Sequence, residues 1–145
     1  MEKVLLEVKA LKVSYDKNVV IENMNLTLRE GEFVALLGLN GSGKTTLLKA
    51  ICGLHEADSG SCIVDGMNGL RMNERNRSRL MSYVPQRNSV IYSISVLDVV
   101  LMGFNPRLTI FKSPGRVERE MATKVLERLG ISEMADDNFL NLSEG

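Results

Sequence analysis

No charge of either sign predominates in this sequence: 18 Lys and Arg balance 18 Asp and Glu over 145 residues. That balance excludes the strongly cationic overall field by which a protein grips nucleic acid through charge alone, while leaving local basic patches open. Cysteine is scarce. Cys52 and Cys62 have no CxxC spacing, and two thiols make neither a disulfide framework nor a four-ligand metal site, so a reducing cytosol is the natural setting. No apolar run approaches the roughly 18 residues of a membrane helix, and Glu2, Lys3 and Glu7 interrupt the N-terminal stretch where a signal peptide needs its hydrophobic core. The chain is therefore expected not to enter a membrane by itself. Internal repeats and low-complexity segments are also missing, and the 44% hydrophobic and 25% charged residues fit a folded globular protein with one core.

What is present is a change of periodicity along the chain. Between residues 3 and 32 apolar and polar residues alternate, with Leu11, Val13 and Tyr15 in one run and Met24, Leu26 and Leu28 in another. These read as half-buried, antiparallel strands separated by polar turns at 16–18 and 30–32. Residues 33–37 are instead an uninterrupted apolar run, as expected of a parallel strand covered on both faces. A helix should follow from about residue 44 to 52, stopped by Gly53. Further short strands are predicted at 62–64, closed by the turn Asp65-Gly66, and at 81–84, closed by Pro85. Helical patterns occupy 95–103 and 116–129. In the second, Val117, Met121, Val125 and Leu129 recur every four residues, and Gly130 ends it. Alternating strands and helices make the class α/β.

Between the apolar run and the first helix, Gly38-Leu39-Asn40-Gly41-Ser42-Gly43-Lys44-Thr45 satisfies G-x-x-x-x-G-K-[ST]. Average residue frequencies would produce such a match roughly once in a couple of hundred chains of this length. Glycines let backbone N–H groups converge on phosphate oxygens, and the helix N-terminus adds the positive end of its dipole. Lys44 contributes a full charge toward the terminal phosphates, and Thr45 can offer its hydroxyl to a phosphate-bound Mg²⁺. The bland alternative is a glycine turn beside an exposed lysine.

The segment from Asn40 through Gly41, Ser42, Gly43, Lys44, Thr45, Thr46 and Leu47 to Leu48 resembles the Walker A region of ABC transporter ATP-binding subunits. The resemblance extends from Val4 to the last residue. It implies an α/β fold with a P-loop NTPase core, an antiparallel β subdomain and a partial α-helical subdomain inserted after Gln86. By the same resemblance Tyr15 is the aromatic that stacks on adenine, a role that suits a flat π face, although a strand tyrosine is commonly just packing. Tyr83-Val84-Pro85-Gln86 resembles the Q-loop, with Gln86 reaching Mg²⁺ and the attacking water. Taken alone, Gln86 is a loop glutamine after a proline. Leu142-Ser143-Glu144-Gly145 resembles the start of the signature motif, in which Ser143 and the amide of Gly145 would meet a γ-phosphate held by an opposite subunit; Glu144 stands where glycine is common.

The implied ligands are ATP and Mg²⁺. The implied partners are membrane-spanning permease subunits and a second nucleotide-binding subunit in a head-to-tail dimer, with no nucleic acid. The implied location is cytoplasmic, on the inner face of the cell membrane through the permease. Ser95 to Gly103 followed by Pro106 resembles the corresponding segment of importers for iron siderophores, haem and cobalamin, although Phe104 and Arg107 depart from it. A GTPase would carry Asn-Lys-x-Asp, and none occurs. His55 follows the P-loop helix and does not match the family's switch histidine. Asp65 is followed by Gly66 rather than by a catalytic glutamate, so it reads as a turn residue. The arginines at 71, 75, 77 and 79 read as a solvated helical face. Residues 1–145 are thus expected to be the front portion of a larger nucleotide-binding domain, ending in the signature motif and binding ATP without hydrolysing it. The alternatives from another class are a non-catalytic ATP-binding regulatory module or a truncated gene remnant.

Overall fold

The computed structural model describes residues 2–86, 93–109 and 112–142, and the chain divides into two units, 1–83 and 84–145. In the first, strands β1 (Val4–Tyr15), β2 (Asn18–Arg29), β3 (Ser59–Val64) and β4 (Met67–Asn68) form one sheet in the order β2-β1-β3-β4, with every neighbouring pair antiparallel. Helix α1 (Lys44–Ile51) packs on it, and α2 (Glu74–Leu80) follows β4.

The core collects Val8, Leu11 and Val13 from β1, Leu47, Ala50 and Ile51 from α1, and Cys62 and Val64 from β3. Strict alternation would place Val8 and Leu11 on opposite faces, yet both are buried. A bulge reconciles them: Ala10 adopts φ 47°, the register shifts between Val8 and Leu11, and the phase of the strand resets. The displaced Ala10 N–H donates to the side-chain oxygen of Asn25 at 2.9 Å, so the bulge leaves no donor unsatisfied. Gly60 on β3 passes so close that a Cβ there would lie 2.5 Å from the Ala10 carbonyl oxygen. With φ 97° as well, that position requires glycine. Burial raises both thiols, Cys52 and Cys62, above their ordinary range and keeps them protonated.

Two expected strands are not formed. Residues 33–37 and 81–84 carry no ladder among the described residues, and Phe33, Leu37 and Val84 are 94%, 88% and 87% exposed. An apolar run becomes an inner strand only when neighbours supply hydrogen bonds along both edges, and no described segment does so here. Asp65 sits in the β3–β4 turn with φ 46° and pairs with Lys3, as a turn residue should. The carboxylate of Asp65, through a hydrogen bond and its charge, lifts the Lys3 pKa above the ordinary lysine range.

In the second unit, α3 (Val96–Met102) starts at Ser95, whose hydroxyl accepts from the Asp98 N–H at 3.1 Å. Helix α4 (Arg116–Leu129) stops at Gly130 as predicted. Its buried positions, however, are Ala122 and Leu126, while Val117, Met121, Val125 and Leu129 are exposed. The four-residue stripe is apolar, but the buried face is the neighbouring one.

At the start of α4 the Glu118 carboxylate accepts the Gly115 N–H at 2.8 Å. The backbone amides of Glu118 itself and of Gly115 hold this carboxyl below its ordinary value of 4.5. A depressed folded-state pKa contributes stability that is present above 4.5 and lost as pH falls through the folded value. The acid limb of a melting-temperature profile should therefore be shallower in Glu118→Ala than in the parent chain, which circular dichroism between about pH 3 and 6 would check.

Candidate nucleotide site

The loop from Gly38 to Gly43 ends where α1 begins. Ser42 N–H donates back to the Leu39 carbonyl at 3.2 Å, and the first helical bond runs from Leu47 N–H to the Gly43 carbonyl at 2.8 Å. The amides of Lys44, Thr45 and Thr46 thus have no intrahelical acceptor, no side chain caps them, and the first turn holds no acidic residue. An anion placed before this turn meets aligned N–H groups and the positive end of the helix dipole.

Gly43 fixes where the loop lies. It takes φ 86°, and an added Cβ would sit 2.8 Å from Ile21 Cδ1 and 3.0 Å from Val20 Cγ1. The loop therefore rests directly on β2, whose first residues pair with the end of β1: Val13 with Ile21, Ser14 with Val19, and Tyr15 with Asn18. The hairpin that presents Tyr15 and the loop that presents Lys44 share this contact.

Lys44 Nζ donates to the carbonyl oxygens of Gly38 at 2.8 Å and Leu39 at 2.7 Å, and lies 3.5 Å from Ser42 Oγ. Its ammonium spans the mouth of the loop and closes it on itself. Asn40, Gly41 and Ser42 are exposed along the rim, as is Thr45, while Thr46 is half-buried. The Thr45 hydroxyl makes no hydrogen bond among the described residues. A neutral oxygen free beside the Lys44 ammonium fits Mg²⁺, which favours oxygen ligands and keeps several waters and phosphate oxygens. No cluster of three or more His, Cys, Asp or Glu occurs among the described residues, so the ion would be held chiefly through phosphate.

Tyr15 is 43% exposed, and one face of its ring stacks on His55 with centroids 4.2 Å apart and planes 29° from parallel. His55 was not singled out as a site residue by the sequence; stacking across 40 positions leaves no local signal. Arg77 was likewise misplaced on a solvated face. Its guanidinium is half-buried and donates to the carbonyls of Gly53, Gly69 and Met72 at 3.3, 3.0 and 2.7 Å, tying α2 to the end of α1. Gln86 lies exposed at a bend in the second unit. Ser143 and Gly145, with Glu144, lie outside the described residues. No helix among the described residues is long and apolar enough to cross a membrane.

A glycine-rich loop clasped by its own lysine at the head of a helix, resting on a sheet, defines a P-loop nucleotide-binding domain. The sequence profile of the ABC transporter family matches residues 21–145, and the chain belongs to that family. It is 34% identical over 145 residues to a probable iron chelatin transport ATP-binding protein of Helicobacter pylori, covering 97% of this chain and 56% of the relative. It is 36% identical over 141 residues to the manganese transport system ATP-binding protein MntB of Bacillus subtilis, covering 96% and 54%. The chain thus spans about half the length of the curated relatives it matches. Among solved structures, a chain of a transporter described as of metal-chelate type, in an inward-facing conformation, superposes with a TM-score of 0.76 at 30% identity, covering 97% of this chain and 51% of that one. A nucleotide-free ATP-binding cassette superposes at 0.82 with 22% identity, covering 97% and 59%, which supports the fold.

Proposed function

We propose that the chain is the ATP-binding front portion of an ABC import subunit whose cargo is an iron siderophore, haem or a cobalamin-like chelate. The observation that carries the nucleotide reading is the loop itself: three uncapped amides at the head of α1, the Lys44 ammonium across the mouth, and the unengaged Thr45 hydroxyl. Lys44 would move from the Gly38 and Leu39 carbonyls to the terminal phosphates, exchanging neutral acceptors for charged ones. Loop amides would hold the β-phosphate and Tyr15 the adenine, with Ser143 and Gly145 serving a partner's nucleotide. Mg²⁺ would neutralise phosphate charge when bound, held by Thr45.

The names of the relatives, iron chelatin and manganese transport, support a metal-related cargo. Membrane-spanning permease subunits, a head-to-tail second nucleotide-binding subunit and a position on the cytoplasmic face complete this reading. In it the chain binds ATP without turning it over, because Asp65 is spent in a turn with Lys3 and no carboxylate pair follows an apolar strand in this sequence. A phosphate-release assay with purified chain and MgATP should stay at the level of Lys44→Ala. Steady release that Lys44→Ala abolishes would overturn the claim of binding without turnover.

A further inference from the structure

The geometry points to His55 as the positioning residue for base recognition: it braces one face of Tyr15 so that the other face is presented, already oriented, to the adenine ring. This rests on the nucleotide reading above and adds a residue to it. Three observations carry it. The rings are in contact at 4.2 Å, so no third ring fits between them, and a base can reach only the outer face. His55 Nε2 lies 3.0 Å from the Ser14 carbonyl oxygen, which only accepts; Nε2 therefore carries a proton, and the imidazole is anchored to the backbone of the residue before Tyr15. Finally, His55 is itself held. Leu54 N–H bonds the Lys49 carbonyl at 2.8 Å, Gly53 N–H bonds that of Ala50 at 3.0 Å, and Arg77 grips the Gly53 carbonyl.

The same helix therefore carries the phosphate lysine at its first residue and sets the tyrosine brace just beyond its last. An unbraced tyrosine at the tip of a hairpin would lose ring freedom when a base stacks on it; a braced one has already lost it, and binding is tighter by that difference. His55 is half-buried and engages the Tyr15 ring and the Ser14 carbonyl, so its effect is expected on the base rather than on the phosphates.

Isothermal titration of the chain with MgATP and, separately, with magnesium tripolyphosphate tests this. His55→Ala should weaken ATP about threefold to tenfold, the size of one aromatic stacking increment, and leave tripolyphosphate unchanged. His55→Phe, which keeps a ring against Tyr15, should recover most of the loss. Equal ATP affinity in His55→Ala and the parent would overturn the inference alone. So would a parallel loss for both ligands, which marks a structural role, or tighter ATP binding, which marks His55 as occupying the base's own face. A parent chain that binds neither ligand would overturn the nucleotide reading and this inference together.

Discussion

Lys44→Ala should lower the affinity of the chain for ATP about tenfold to a hundredfold. The ammonium already donates to two carbonyls, Gly38 at 2.8 Å and Leu39 at 2.7 Å, so it is positioned at the loop mouth before any nucleotide arrives. Charge-assisted hydrogen bonds contribute about 1.5 to 3 kcal/mol each, and one such bond to phosphate accounts for the expected change. The substitution also opens the loop, since the two carbonyls lose the donor that ties them. Neither effect reaches the core, so the circular dichroism spectrum and melting temperature should stay close to those of the parent. Titration with a fluorescent ATP analogue measures the affinity, and an unchanged value would remove Lys44 from the site.

Leu47→Ala should cost about 2 to 5 kcal/mol of stability, a large share of the 5 to 15 kcal/mol typical of a whole domain. Leu47 is 2% exposed and one turn along α1 from Lys44, where it packs in the cluster containing Val8, Leu11 and Cys62. Truncation removes transfer energy and leaves a void that a sheet and helix close together cannot fill by small shifts. Its neighbour Leu48 is 44% exposed, and Leu48→Ala should cost far less. Urea denaturation of the three proteins, read as a shift in midpoint at constant slope, separates the cases. Equal midpoints for Leu47→Ala and Leu48→Ala would contradict the placement of α1 on the sheet.

The glycine loop and the helix it opens were legible because their signal is local: eight consecutive residues set the turn, the charge and the helix start. The hairpin of β1 and β2 was legible for a related reason, since alternation and turn residues are short-range signals. Register was not. The Ala10 bulge depends on Asn25 and Gly60, 15 and 50 positions away, and without it the burial of both Val8 and Leu11 contradicts a period of two. Residues 33–37 and 81–84 show the same limit from the other side, because their composition suits an inner strand while the hydrogen-bonding neighbours must come from elsewhere. On α4 the sequence marks an apolar stripe at Val117, Met121, Val125 and Leu129, but the residues buried are Ala122 and Leu126. Arg77 and His55 were missed for the reason that charge and aromaticity alone do not say what carbonyl or ring lies opposite.

Binding of the ATP phosphates by the loop of residues 38–46 should be visible in amide chemical shifts during a titration. Adding MgATP to the ¹⁵N-labelled chain should move the amides of Gly38, Gly41, Gly43, Lys44, Thr45 and Thr46 saturably, with smaller changes at Tyr15 and His55. Shifts that fail to saturate, or that saturate elsewhere and leave these amides in place, would contradict it.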